Sequence, residues 1–253
     1  MLHKLFIKKS NEPRKKYGGI IIALELEEYW DSLLPEERQF IKECYASSNG
    51  VNPDNLDSPR SKIAYTSQSV SGFLSNYAGW AISKKRFELA DKLLNESVKR
   101  NKNVVDLHFT YNYLINLCYK RRNEGPDWIE VCIKYCIEDI KIFPEFKYDY
   151  LKQERERLLK HADSPLFNKK ERANVLKRAN NVSFNLRISS FQQLAIIYEK
   201  QGRYKEAIEI CNLAKSYELI DTTKGGFDSR IERLKKKLEV KILNRESDHN
   251  GVN

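Results

Sequence analysis

Glycine and proline are scarce in this sequence, which has 10 and 7 of them among 253 residues. A β-rich protein needs a turn about every 8 to 12 residues, and turns rely heavily on these two residue types. Their scarcity therefore argues against a β-sandwich or a β-barrel. The charged fraction of 32% exceeds the usual quarter and is typical of long helices with solvated faces. Composition thus predicts an all-α fold in a chain long enough to bury its own core.

Long apolar runs and an organised set of cysteines are also lacking. The longest apolar run, 20–24, ends at Glu25, whereas a membrane-spanning helix needs about 20 apolar residues. No secretory signal is visible at the N-terminus. The five cysteines include no Cys-x-x-Cys pair and form no regular framework, which argues against a secreted disulfide scaffold. We therefore expect a cytoplasmic protein with no membrane partner.

Catalytic and metal-binding patterns are absent as well. The four histidines share no motif and are interpreted as surface or structural residues. Adjacent acidic pairs such as Glu27-Glu28 point apart on a helix, so they suit a helix start better than acid–base chemistry. Lys224-Gly225-Gly226 lacks the rest of a Walker motif and is interpreted as a turn. The sequence predicts no enzyme activity, no catalytic residue and no cofactor.

Two cysteines lie four residues apart in a helical pattern, where a pair of thiols could hold a metal. However, Cys132 and Cys136 belong to one continuous apolar stripe that also includes Ile129, Ile133 and Ile137. Cysteine in such a stripe behaves as a small hydrophobic residue. We therefore predict that both thiols pack in the core and that the protein has no metal site.

The pattern of apolar residues and breakers predicts helix after helix. An N-terminal helix begins at Pro35, which suits the first helical position. Further helices are expected at 69–84, 86–101, 105–122, 127–142, 146–161, 168–181, 186–200, 203–217 and 228–243. The predicted organisation is a basic flexible arm (1–19), an N-terminal region of helix plus loop (20–60), a helical domain (61–243) and a disordered tail (244–253).

The segment Ile188–Leu219 carries the clearest pattern. Phe191 and Leu194 form a large apolar pair, and the small Ala195 would let one helix approach the next. Gly202 lies at the turn, where a residue with positive φ ends a helix at little cost. The inward face of the second helix is given by Tyr204, Ala207, Cys211 and Ala214.

This segment resembles a tetratricopeptide repeat, a helix-turn-helix unit of about 34 residues, although Leu219 replaces the terminal proline of the family. A weaker copy spans 71–102, and another, with a longer turn, runs from Phe109 to Pro144. The resemblance implies helical hairpins stacked as a short right-handed solenoid, with a small distinct N-terminal region.

The resemblance also implies a function, because the first helices of such repeats form a concave face that holds a protein or peptide. We therefore expect a non-enzymatic interaction module whose partner is acidic if the positive charge contributes. The sequence does not indicate the oligomeric state. The groove positions transferred to this chain are Ser75, Asn76, Tyr113, Lys120, Arg121, Gln192 and Gln193.

The net charge of +10 leaves a second interpretation open. Dispersed lysines ordinarily form a solvated surface, but basic helices can also follow the phosphates of a nucleic acid. The alternative function is therefore a regulatory protein associated with nucleic acid. The candidate anion-binding residues are Lys84, Lys85, Arg86, Lys169, Lys170, Arg172, Lys177 and Arg178.

Overall fold

The computed structural model describes residues 16–221 and 223–250, with side chains described as far as Asn244. Within these residues the regular structure consists of eleven α-helices and one 3-10 helix, with no strand. The all-α prediction is confirmed. The chain divides into two compact units, Met1–Phe73 and Leu74–Asn253, and the predicted boundary at 60/61 falls in the loop that precedes the fourth helix.

The N-terminal unit contains three α-helices and the 3-10 helix. Acidic residues occupy the first turn of the second helix, as expected, and Glu37 accepts a hydrogen bond from Leu34 N at 2.9 Å at the start of the third. The predicted helix beginning at Pro35 is confirmed. The elements are α1 (Gly19–Ala23), α2 (Glu27–Ser32), α3 (Pro35–Asn49) and the 3-10 helix Pro53–Asn55.

The last residues of the predicted flexible arm are packed against this unit, so that part of the prediction is wrong. Gly18 N donates to Asp57 O at 3.0 Å. A Cβ at Gly19, where φ is +57°, would lie 2.0 Å from Asn55 O. The glycine pair is therefore needed for a close backbone approach. Residues 1–15 of the predicted arm lie outside the described residues.

The C-terminal unit begins within the fourth helix and contains the remaining helices. Most follow the predicted spans to within three residues at each end. They are α4 (Val70–Ser83), α5 (Phe87–Lys99), α6 (Val104–Lys120), α7 (Asp127–Ala162), α8 (Lys169–Asn180), α9 (Ser189–Lys200), α10 (Tyr204–Ser216) and α11 (Gly226–Asn250).

The prediction of two helices separated at Pro144 is wrong. Pro144 lies inside α7, a single helix of 36 residues. A proline inside a helix loses one backbone hydrogen bond and costs about 3 kcal/mol. Here the ring lies on the exposed side of α7, while Phe143 and Phe146 on either side are fully buried. Burying two phenylalanine side chains stabilises the helix by about as much as the proline destabilises it.

The helices of the C-terminal unit pack in chain order. α6 contacts both α5 and α7, α9 contacts α6, α7 and α10, and α11 covers α10. One continuous apolar core joins α6, α7, α9, α10 and α11, and it includes an aromatic cluster around Phe143.

The closing helix α11 is longer than expected. The prediction ended it at Leu243, but its backbone is helical through Asn250. The first residues of the predicted disordered tail are therefore helical, and 251–253 lie outside the described residues. Ile231 and Leu234 on its inner side are buried in the shared core.

Candidate functional site

Two turns of the C-terminal unit have the same backbone geometry. Lys85, between α4 and α5, has φ of +58°, and Gly202, between α9 and α10, has φ of +69°. In each turn the next residue donates its N–H back across the turn at 2.8 Å, from Arg86 to Ala81 O and from Arg203 to Tyr198 O. These are helix ends of the left-handed type. The positive φ that the sequence predicted at Gly202 is confirmed.

Small residues are buried in both helix pairs. Ala78 and Ala90 in the first pair, and Ala195 and Ala207 in the last, have no solvent exposure. A larger side chain at any of these positions would hold the helix axes apart. The two pairs thus share both their turn and their close-contact positions.

Two of the predicted groove residues are buried and cannot contact a partner. Ser75 is 3% exposed and Gln192 is 8% exposed. Gln192 Nε2 donates to Asp221 Oδ1 at 3.0 Å, and Arg187 donates to Gln192 Oε1. Their assignment to the groove is therefore corrected, because both side chains are buried in the interior of the unit.

Two further groove residues are engaged by neighbouring side chains. A Cβ on Gly79 of α4 would come within 2.5 Å of the Tyr113 ring, so this tyrosine packs tightly across the α4 backbone. Arg121 bonds Glu124 at 2.6 Å and lies 4.1 Å from the centroid of the Trp128 ring. Both residues help to hold helices together.

The remaining groove residues are accessible on first helices. Asn76 and Lys120 are exposed, and Gln193 is half-buried. The Gln193 side chain lies beside the Tyr119 phenol of α6, and its amide nitrogen is buried without a hydrogen-bond partner among the described residues. Of the seven predicted groove residues, these three are at least partly exposed and form no ion pair within the described part of the chain.

A small cavity lies where α6, the start of α7 and α9 meet. Its volume is about 330 Å³, and most of its lining surface is apolar. Lys200 Nζ donates to Tyr119 Oη at 3.0 Å, and Arg122 lies 4.4 Å from the centroid of the same ring. The lining residues are Tyr119, Arg122, Pro126, Ile129, Glu130, Ile197, Lys200 and Gln201.

The positive charge at this cavity acts on the pKa of Tyr119. Burial raises the pKa of this phenol, but the hydrogen bond from Lys200 and the charges of Lys200 and Arg122 outweigh burial. The net pKa is lower than that of an ordinary tyrosine. The same environment would stabilise a carboxylate brought by a partner.

The cavity residues Tyr119, Arg122 and Lys200 were not among the predicted site residues. Tyr119 and Lys200 each lie in the last turn of a first helix. No signal in the sequence pairs them, because the repeat pattern aligns Tyr119 with Tyr198 and not with Lys200. Arg122 follows α6 in the loop of residues 121–126, whose unusual length the sequence did indicate.

The predicted basic residues are exposed in two separate helical regions. Lys84, Lys85 and Arg86 occupy the α4–α5 turn. The others lie on α8, where Arg172 pairs with Asp163 at 2.9 Å. The exposed residues of α8 are Lys169, Lys170, Arg172, Lys177 and Arg178.

A buried polar chain that the sequence did not indicate links α6, α7 and α9. The Nδ1 atom of His108 lies 2.7 Å from Asp139 Oδ1, and Asn112 Nδ2 lies 2.8 Å from His108 Nε2. Asn112 also donates to His108 O, which orients its amide, and Ser189 donates to Asn112 Oδ1. Nε2 is therefore the acceptor, so Nδ1–H donates to Asp139.

This series of hydrogen bonds resembles a catalytic relay only in its residue types. His108 and Asp139 are 1% and 0% exposed, and an amide separates the imidazole from the Ser189 hydroxyl. A substrate cannot reach His108, whose ring also stacks on Phe146 at 3.7 Å between centroids. The hydrogen bonds orient α6, α7 and α9 relative to one another, and His108 has a structural role, as predicted.

A second buried network fixes α11 on α9 and on the segment that precedes α11. Arg230 Nε donates to Asp221 Oδ2 at 2.9 Å, and Thr223 N donates to Asp221 Oδ1 at the same distance. Arg230 also lies 3.8 Å from Glu199, which bonds Arg233 and Lys237. The cationic face of α11 is thereby used in part to hold the end of the unit.

All five cysteines are buried. Burial raises the pKa of Cys118 to about 12 and that of Cys211 to about 11. A hydrogen bond with Cys132 and burial both raise the pKa of Cys136. The predicted core packing of Cys132 and Cys136 is confirmed, and no cluster of three potential metal ligands occurs within the described residues.

Comparisons with known proteins leave the family open. The chain is similar to a protein of Aquifex aeolicus (strain VF5) described as an uncharacterized protein, with 24% identity over 232 residues, 89% of this chain and 96% of the relative. No protein-family model and no solved structure matches the chain. Among the described helices, none has the length and apolarity required to span a membrane.

Proposed function

We propose that this chain is a non-catalytic interaction protein of tetratricopeptide type. In this proposal the Leu74–Asn253 unit is a short right-handed solenoid, and the face made by the first helices α4, α6 and α9 holds a protein or peptide. The observation that carries the proposal is the shared turn geometry of the α4–α5 and α9–α10 pairs, together with the buried alanines in their helices. The order of helix contacts supports it, because α6 packs on α5 and α9 packs on α6 and α7.

The charge on this face favours an acidic partner. Lys120 is exposed, and Arg122 and Lys200 border the cavity between α6 and α9. Within the described part of the chain, none of the three forms an ion pair with a carboxylate. A carboxylate from the partner would meet these cations without displacing an existing pair, and its apolar neighbour could enter the cavity.

Capture of the partner from a nuclease-treated native lysate tests the proposal. The tagged wild-type chain should retain one protein in near-equal amount. Reversing the charge of Lys120 and Lys200 to glutamate should reduce retention by about 10-fold or more, because attraction becomes repulsion.

The matched control is the double variant Lys205→Glu, Lys235→Glu, which makes the same change of charge at exposed positions on α10 and α11. It should retain the partner as the wild type does. Equal loss in both variants would exclude the first-helix face as the binding surface. Partners that disappear with the nucleic acid would favour the alternative, association with nucleic acid through the basic helices.

A milder variant separates binding from packing. Gln193→Ala removes a half-buried amide from the first-helix face and should weaken retention a few-fold while leaving the thermal unfolding midpoint nearly unchanged. Tyr113→Ala is less informative, since the Tyr113 ring packs against Gly79. Wild-type retention by Gln193→Ala would remove this residue from the site.

A further inference from the structure

The hairpin made by the second half of α7 and by α8 lies outside the three helix pairs. It has a small apolar core of its own, with Leu158 and Ala162 from α7 against Val175 and Ala179 from α8. The chain then returns to α9 through residues 181–188. This hairpin is not needed to stack one pair on the next, which raises the question of what it does.

A cavity of about 470 Å³ opens between the two helices of this hairpin and the segment that follows them. Small-molecule sites commonly have volumes of about 300–1,000 Å³. All of its lining residues belong to the hairpin and the following segment. They are Tyr150, Glu154, Leu158, Lys177, Arg178, Asn181, Val182, Ser183, Asn185 and Leu186.

The cavity has a net positive charge, because its lining holds two cations, Lys177 and Arg178, and one carboxylate, Glu154. Its one carboxylate, Glu154, is held by Arg157 through two hydrogen bonds of 2.8 and 2.6 Å. Lys177 and Arg178 are exposed and make no ion pair among the residues described. Arg172, nearer the start of the same helix, is paired with Asp163 at 2.9 Å.

The end of α8 reduces this positive charge only in part. Lys177 and Arg178 lie in its last turn, where the helix dipole acts as about half of a negative charge. Two full cations outweigh that dipole, so the cavity attracts anions. Guanidinium and ammonium groups are the usual donors to a phosphate group.

The rest of the lining suits a flat polar ring. Leu158, Val182 and Leu186 are apolar, and the Tyr150 ring is braced by Phe146 and Phe184 at 5.7 and 5.8 Å between centroids. An immobilised aromatic wall is a favourable surface for a planar base.

Amide and hydroxyl groups lie beside this apolar wall. Asn181, Ser183 and Asn185 all line the cavity, and Asn185 Nδ2 donates to Ser183 Oγ at 2.9 Å. Side-chain amides both donate and accept hydrogen bonds, as do the edges of a nucleobase. The cavity thus places ring-binding and phosphate-binding groups next to one another.

We propose that the α7–α8 cavity binds a nucleotide, with its phosphate at Lys177 and Arg178 and its base against Tyr150. This goes beyond the interaction function proposed above and does not depend on it. The nucleotide is either free or part of a single strand, because both present the same phosphate and base.

Calorimetric titration of the full chain with adenosine 5′-monophosphate tests the proposal. Saturable binding should weaken by about 10-fold or more in the double variant Lys177→Gln, Arg178→Gln. The control Lys169→Gln, Lys170→Gln removes the same charge from exposed positions on the same helix and should change the affinity by less than about 2-fold. Unchanged thermal unfolding of both variants verifies the fold.

A fluorescein-labelled 12-nucleotide single strand distinguishes the two sources. Binding of the strand but not of the mononucleotide, weakened more by the cavity pair than by the control pair, would support the proposal and assign the ligand to a strand. Three results would overturn it. These are no binding of either probe, equal weakening by both pairs, and inorganic phosphate binding as tightly as the mononucleotide.

Discussion

The α4–α5 turn and the α9–α10 turn have nearly the same backbone but a different residue at the left-handed position. Gly202 reaches its positive φ without steric cost, whereas Lys85 adopts the same conformation with a Cβ. The α9–α10 pair also has a covering helix tied to it by the Arg230–Asp221 ion pair. Buried small residues such as Ala78 and Ala195 therefore fix the shape of each pair, and the turn between the helices forms with either a lysine or a glycine.

The largest expected effect comes from the ion pair that distinguishes the last helix pair. Arg230→Met should lower the free energy of unfolding by about 3–5 kcal/mol, because Asp221 would remain buried without its cation. Urea denaturation followed by circular dichroism measures the change. Arg233→Met, at a half-exposed position on the same helix, should cost less than about 1 kcal/mol, and equal losses would contradict a special role for Arg230.

The next effect tests whether the two crossings are equivalent. Ala78→Leu and Ala195→Leu should each lower the free energy of unfolding by about 1–3 kcal/mol, because each adds volume at a position with no exposure. The exposed Ala173 on α8 provides the control, since Ala173→Leu should change stability by less than about 0.5 kcal/mol. If only one of the two alanines could be replaced by leucine without loss of stability, the two helix pairs would not be equivalent.

Exchange of the turn residues should have a smaller effect, of opposite sign at the two sites. Lys85→Gly should raise the free energy of unfolding by up to about 1 kcal/mol, and Gly202→Lys should lower it by about 1 kcal/mol. Thermal unfolding of the two variants measures both changes. Changes of the same sign would show that the left-handed conformation is not what makes the turns alike.

The smallest expected effect is a pH dependence confined to the last helix pair. Burial raises the pKa of Glu199, but hydrogen bonds from Arg233 and Lys237 outweigh it, so the net pKa lies below the ordinary 4.5. A lowered folded-state pKa stabilises the fold above the unfolded-state pKa, and this stabilisation is lost as pH falls through the folded-state value.

Glu199→Gln should therefore reduce stability near neutral pH and flatten its decline below about pH 4.5. Unfolding measured by urea from pH 3 to 7 provides the test. Glu206→Gln is a surface control, because this carboxylate pairs locally with Arg203. An unchanged pH profile in Glu199→Gln would contradict the stabilising role of this cluster.

Apolar periodicity was sufficient to predict the all-α fold and most helix spans. It failed at Pro144, because a local breaker was outweighed by the burial of Phe143 and Phe146, which depends on partners far along the chain. It also failed at Gly18-Gly19, where flexibility was expected. The glycines instead allow a close approach to residues 55–58, and such a contact cannot be read from the glycines alone.

The candidate site was less predictable than the fold. Repeat spacing placed Ser75 and Gln192 on first helices but could not tell which way their side chains face. The pairing of Tyr119 with Lys200, 81 residues apart, requires knowing that α6 and α9 are neighbours. Likewise, His108 and Asp139 lie in no common motif, and only packing brings them together.

Site-specific photo-crosslinking tests the proposed interaction most directly. A benzoylphenylalanine at position 120 on α6, compared with one at position 205 on α10, reports which helix contacts a partner in the cell. The proposal predicts one dominant protein adduct from position 120 and little from position 205. Adducts of equal yield from both positions, or none from position 120, would contradict binding on the first-helix face.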